Sequence, residues 1–310
     1  MGKTSIQWCD YSINPIRARN KKTGAVGHFC EKVSHGCTHC YASALQGRFN
    51  LPAFKGARSL PTLPIGDNGC VTVAEDIEVF LDEGKLQEVL RRKKPTRYFW
   101  ADMTDLFGSW VPDEWLHRCF AAMALTPQHT HQLLTKRPER MREYIVGADG
   151  REINFNIPGR LMNREPFDWP LPNVWLGVSV EDQQRKERID VLRPVPAVIR
   201  FLSLEPLLED LGELNLDGIH LCIVGGESGK DARPCDVAWV RSIVKQCKTA
   251  GVAAFCKQLG SKPVDGAKMV AAGVCGRRAV PNVLKLRDPK GGEMREWPED
   301  LRIRSFPDDK

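Results

Sequence analysis

One pattern recurs along the chain and limits what it can fold into. A short apolar run ends in polar or glycine residues, and an amphipathic stretch follows. The runs are YSINPI from Tyr11, CVTV from Cys70, RYFWA from Arg97, HQLLT from His131, VWLGVSV from Val174, IRFLSL from Ile199, HLCIV from His220 and AAFCK from Ala253. Several lack period-two alternation, which suits strands covered on both faces of a parallel sheet. The stretches between them read as helices. PDEWLHRCFAAMAL places Trp115, Cys119 and Met123 on one face, with acidic residues in its first turn. DVAWVRSIVKQCKTAG starts at Asp236 as N-cap, places Val240, Ile243, Val244 and Cys247 on one face and stops at Gly251. EDQQRKERIDVLR is a third. Strand–helix alternation of this kind predicts an α/β fold. The expected form is a TIM-like (β/α) barrel of six to eight strands, partial or complete, over residues 1–260. Residues near 145–172 hold four prolines and read as an insertion, and 261–310 as a C-terminal extension packed on the barrel.

The 310 residues suffice for one large domain or two ordinary ones, and 42% hydrophobic with 27% charged residues is a soluble composition. No apolar run has transmembrane length, and MGKTSIQWCDYS lacks the apolar core of a signal peptide, so the expectation is a cytoplasmic protein with no membrane partner. In a reducing compartment most of the eleven cysteines are free thiols. Cys119, Cys222, Cys247 and Cys256 lie in apolar periodic stretches and read as core. The net charge of +6 permits nucleic-acid binding without demanding it. Two basic runs, RARNKK from Arg17 and RRKK from Arg91, read as solvated surface when taken alone.

In a barrel, chemistry collects where strands end. Asp102, Thr104 and Asp105 follow one run, and Thr135, Lys136 and Arg137 close another. Ser179, Glu181 and Asp182 end a third, Ser203 and Glu205 a fourth, and Gly225, Gly226, Glu227 and Ser228 a fifth. Each residue also has a plainer reading, as a hydrogen-bonding group that caps the next helix.

Cys30, Cys37 and Cys40 form a C-x6-C-x2-C cluster directly after the first strand. Thiolates are soft ligands, so three within eleven residues suggest zinc or iron–sulfur. A closed zinc site needs a fourth ligand, which His28, His35 or His39 could supply. Alternatively, three thiolates hold three irons of a 4Fe–4S cluster and leave the fourth iron open.

The cysteine loop is similar to that of radical S-adenosylmethionine (SAM) enzymes, whose commonest signature is C-x3-C-x2-C with an aromatic residue before the third cysteine. The chain keeps the second half as Cys37-Thr38-His39-Cys40 and widens the first gap to six. It resembles still more the phage-associated, radical-SAM-like "three-Cys-motif" family. The matching stretches are TSIQWCDYSINP, CEKVSHGCTHCYA, DMTDLFG, QLLTKRPERM, PNVWLGVSVEDQ, RFLSLEPLL, IVGGESGKDARP, FCKQLG and EWPEDLR. Relative to that family the loop carries extra residues, RARNKKTGAVGHF.

The resemblance implies that Cys30, Cys37 and Cys40 hold a 4Fe–4S cluster and that its open iron chelates SAM. One-electron cleavage then yields a 5′-deoxyadenosyl radical that abstracts hydrogen from a carbon. An electron donor such as flavodoxin or ferredoxin is implied. By the same resemblance His39 packs over the cluster or reaches the adenine, and Ser179, Glu181, Gly225, Gly226 and Glu227 are SAM contacts. Lys136 and Arg137 would bind the SAM carboxylate or a substrate phosphate, and Asp102, Asp105 and Glu205 would orient a polar substrate. The implied substrate is a modified thymine base in DNA. The sharpest expectation is an isomerase of thymine hypermodification that moves an aminoacyl attachment from nitrogen to carbon, in the host cytoplasm if the chain is phage-encoded. Trp100, Phe107 and Trp110 offer a stacking platform or core packing. Two alternatives stay open: a radical SAM enzyme acting on a small metabolite or peptide, and a non-enzymatic nucleic-acid-binding protein with a structural zinc.

Overall fold

The computed structural model describes residues 2–43, 76–147, 169–271 and 277–307. Its strands, in chain order, are β1 (Gly2–Lys3), β2 (Tyr11–Ile13), β3 (Ile16–Asn20), β4 (Val26–Gly27), β5 (Ile77–Leu81), β6 (Arg97–Trp100), β7 (Thr130–Thr135), β8 (Val174–Ser179), β9 (Ile199–Leu204), β10 (Leu221–Gly225), β11 (Cys235–Asp236), β12 (Ala253–Gln258), β13 (Pro263–Ala271) and β14 (Arg277–Val283). The helices are α1 (Glu83–Arg91), α2 (Asp113–Ala124), α3 (Pro138–Val146), α4 (Glu187–Leu192) and α5 (Val237–Ala250). The fold is mixed α/β with parallel strands, as part of a (β/α) barrel would be. The chain divides into two compact units: Met1–Val178 with Pro194–Arg200, and Ser179–Arg193 with Phe201–Lys310.

In the first unit the strand order is β1-β2-β6-β7-β8. β1 runs antiparallel to β2, and the other neighbours are parallel. Every residue of β8 is buried, as are three of four in β6. Burial on both faces is why these runs show no alternation in sequence. α2 buries Leu116, Cys119, Phe120 and Met123, while Trp115 is half-buried. Trp100, Phe107 and Trp110 are all buried, so the core reading of these aromatics holds.

β2 is shorter than YSINPI because Asn14 and Pro15 interrupt it. The basic run that follows is not a loop. It is β3, which pairs antiparallel with β4 and β5. Ile16, Ala18 and Asn20 point inward, whereas Arg17 and Arg19 point outward. Arg17 pairs with Asp82, and Arg19 pairs with Glu78 and lies over the Phe80 ring. The extra residues therefore build a small sheet whose two arginines already have partners.

The second unit contains β9, β10 and β12 in parallel order. Asp236 caps α5 by accepting from the Ala238 N–H, and Gly251 ends it at φ 69°. Its Cys247 is buried, as is Cys222 of β10. β11, β13 and β14 form a separate sheet. The terminal segment pairs antiparallel with the free edge of β12, through the Phe255–Arg304 bridge and the Cys256 N–H donating to Ile303 O at 2.8 Å. Residues after 260 thus group with β9–β12. Cys119, Cys222, Cys247 and Cys256 are buried free thiols, as expected. The CVTV run and most of the 145–172 insertion lie outside the described residues. Among the described residues no helix is long and apolar enough to cross a membrane.

Candidate metal centre

The cysteine segment is fastened to the C-terminal ends of β6 and β7. Just past β6, Ala101 adopts φ 58°, a left-handed conformation that a non-glycine residue rarely takes. Its N–H donates to Ile13 O at 2.8 Å. This sharp turn brings Asp102, Thr104 and Asp105 into the next few positions.

Asp105 is buried and joins the two strand ends. Its carboxylate accepts from the Thr135 hydroxyl at 2.7 Å, the Lys136 N–H at 3.0 Å, the Arg137 guanidinium at 3.0 Å and the Phe107 N–H at 3.0 Å. Arg137 uses its other arm on Glu31, beside Cys30, at 3.1 Å, and its guanidinium lies 4.7 Å over the Trp110 ring. The Lys136 ammonium donates to the Ser34 hydroxyl at 3.3 Å, and that hydroxyl lies 3.6 Å from the Cys37 sulfur. The Thr104 hydroxyl donates to Phe29 O, and the Tyr41 hydroxyl donates to Asp102 O at 2.6 Å. Asn14 donates to the Asp102 carboxylate, whose pKa burial nonetheless holds above the usual carboxylate value.

The thiols differ in environment. Burial pushes Cys30 up, Asp105 and the other two cysteines add to that, and Arg137 opposes it. Burial also works against Cys37, but Lys136 and hydrogen bonds from Val33 and Ser34 outweigh it, so Cys37 lies below its ordinary value. Cys30 feels the charge of both Cys37 and Cys40. Yet among the described residues no three of His, Cys, Asp or Glu are gathered tightly enough to hold one metal ion. A closed zinc site needs all donors around one point, whereas an iron–sulfur cubane takes each thiolate on a different iron. Three soft donors in one segment, with Lys136 reaching Ser34 and Arg137 reaching Glu31, suit a cubane in donor chemistry and in charge. His39 is exposed.

The unit-1 residues named from sequence therefore come together, but as a framework for the cysteine segment. Asp105, Lys136 and Arg137 spend their hydrogen bonds on that segment and on each other. Any contact they make with a substrate comes in addition.

The second unit holds the remaining candidates. Glu181 is fully buried and paired with Arg188 at 3.1 Å, and Arg188 also donates to Ser179 O at 2.8 Å. Glu227 is clasped by Arg233: the backbone N–H and Nε reach Oε2 at 2.8 and 2.9 Å, and Nη2 reaches Oε1 at 2.6 Å. Both carboxylates are thus balanced by arginines that the sequence reading did not name. A Cβ on Gly226 would meet the Leu259 carbonyl and the Cys235 side chain, while one on Gly225 would meet the Glu205 carboxylate. Glu205 pairs with Lys257 at 3.2 Å, and its Oε1 is buried without a hydrogen-bond partner. Lys257 had a legible signal, because it closes the apolar run AAFCK as polar residues close the others. Arg188 and Arg233 had none, since spacings of seven and six residues match no strand or capping pattern.

A family model described as a protein of unknown function (DUF5131) matches residues 3–284. No curated protein and no solved structure matches the chain.

Proposed function

For a chain that belongs to the DUF5131 family, we propose a radical SAM enzyme that modifies or rearranges a nucleobase in DNA, with Cys30, Cys37 and Cys40 as cluster ligands. When bound, a 4Fe–4S cluster and SAM would supply one-electron cleavage to a 5′-deoxyadenosyl radical. The observation that carries the reading is the fastening of a three-thiol segment to the C-terminal ends of β6 and β7, where (β/α) barrels keep their chemistry.

The chain's own residues have distinct work in this reading. Arg137 and Lys136 offset the negative charge that three thiolates bring, and Lys136 favours the ionised form of Cys37. Asp105 holds the Arg137 guanidinium and the Lys136 backbone N–H. Tyr41 and Thr104 pin the two ends of the segment to the turn after β6. In the second unit, Glu205 and Lys257 are the polar pair with hydrogen-bonding capacity to spare. Glu181 and Glu227 would act on a ligand only together with Arg188 and Arg233. The nucleobase substrate, the thymine isomerisation and the flavodoxin or ferredoxin donor rest on the family resemblance alone.

Anaerobic reconstitution with iron and sulfide tests the centre. The expected product is a brown protein whose broad visible absorbance bleaches on reduction, and Cys37→Ala should remove it. A colourless protein that retains one zinc would overturn the proposal. Mass spectrometry of nucleosides from DNA incubated with enzyme, SAM and reductant tests the substrate.

A further inference from the structure

Gln132 lies in the middle of β7 and is 0% exposed, yet neither its amide nitrogen nor its amide oxygen has a hydrogen-bond partner. Its neighbour His131 shows how unusual this is. On the opposite face of the strand, His131 accepts from the Trp100 indole N–H at 3.0 Å, and its other ring nitrogen lies 3.0 Å from the Thr126 hydroxyl just beyond α2. Side chains alternate along a strand, so Gln132 faces away from α2. Its register partners are Phe99 on β6 and Trp175 on β8, and both share its face. Trp8 packs against Phe99 with ring centroids 4.4 Å apart. Two residues further along that face come Leu134, which is half-buried, and its register partner Gly177, which has no side chain.

An amide with donor and acceptor both unpaired is among the costliest groups to bury, and an apolar residue of the same shape would suit the fold better. The surroundings say what the amide is suited to. Its register partners on both sides are aromatic, the Arg97 guanidinium lies 5.4 Å over the Trp175 ring, and the β8 residue beside Leu134 is a glycine. We infer that Gln132 is the hydrogen-bonding group of a binding site for a planar heterocycle that presents a donor and an acceptor side by side, as a nucleobase edge does. This deepens the proposed function without choosing between the adenine of SAM and a target base, since both offer that edge.

The test uses Gln132→Met, which keeps the shape and removes the amide. Its thermal unfolding midpoint should rise above wild type, because an unpaired polar group is gone. Affinity for S-adenosylhomocysteine and for a thymine-containing single-stranded oligonucleotide is then measured on the anaerobically purified protein. A loss of tenfold or more for one probe, with the other unchanged, supports the inference and identifies the source. Trp175→Leu should weaken the same probe. Unchanged affinity for both probes in Gln132→Met overturns the inference, and so does a wild-type protein that binds neither. These readouts need no turnover, so they stand apart from the reconstitution result that decides the proposed function.

Discussion

Buried polar side chains sort into those that the fold satisfies and those that it leaves open. His131 belongs to the first kind. Burial, with His129 nearby, lowers its pKa from 6.5 to about 3, and the ring stays neutral between Trp100 and Thr126. The sign of the pH dependence follows. Below pH 6.5 the unfolded chain takes up a proton that the native ring refuses, so stability is lost as pH falls from 6.5 toward about 3. The slope from this residue approaches about 1.4 kcal/mol per pH unit. Denaturant titrations between pH 7 and pH 4 should show that slope in the wild type and a shallower one in His131→Gln. Equal slopes would mean that the ring titrates normally. None of this was legible in HQLLT, because a histidine and a glutamine side by side look alike in sequence. Their fates differ because one faces α2 and the other faces the opposite side.

At the scale of elements, strands were legible where both faces are covered. β6 to β10 and β12 fall on the apolar runs, since burial on two faces leaves little room for polar residues. β3 was not legible, although Ile16, Ala18 and Asn20 alternate with Arg17 and Arg19. The charges disguised an alternating strand as a solvated run. The glycines after β10 show a second limit. They were expected as SAM contacts; in the fold Gly226 sits against the backbone carbonyl of Leu259, and Gly225 against the flexible end of the Glu205 side chain. A methyl group should therefore cost more at Gly226, where backbone has to move. Gly226→Ala is expected to destabilise by about 3 kcal/mol and Gly225→Ala by about 1 kcal/mol. Thermal or urea unfolding checks the order, and a reversed order would place the tight contact at Gly225.

For the molecule as a whole, the cysteine segment has little regular structure of its own. Between Phe29 and Tyr41 the only regular element among the described residues is a single 3-10 turn at His35–Cys37. Side-chain bonds to the ends of β6 and β7 carry the rest. A cluster that bridges Cys30, Cys37 and Cys40 would bind the native state and not the unfolded chain, and so would stabilise the fold. Reconstitution is expected to raise the unfolding midpoint of the wild type by several degrees and to leave Cys30→Ala unmoved. An unshifted wild type would mean that the three thiols share no cluster. Arg17, Arg19, Arg137, Arg188 and Arg233 all pair with carboxylates, so the positive excess of +6 sits on other residues.

The amino-acid sequence by itself determined the parallel strands, the ends of α5 and the position of three soft ligands, because periodicity, capping and close spacing are properties of neighbouring residues. The tertiary structure alone decided which arginine neutralises which carboxylate, that Asp105 ties two strand ends to the cysteine segment, and that Gln132 is buried with nothing to bond. The Asp105 ties and the burial of Gln132 depend on strand order and register, while the two arginine pairs, seven and six residues apart, depend on how the chain turns back after β8 and β10.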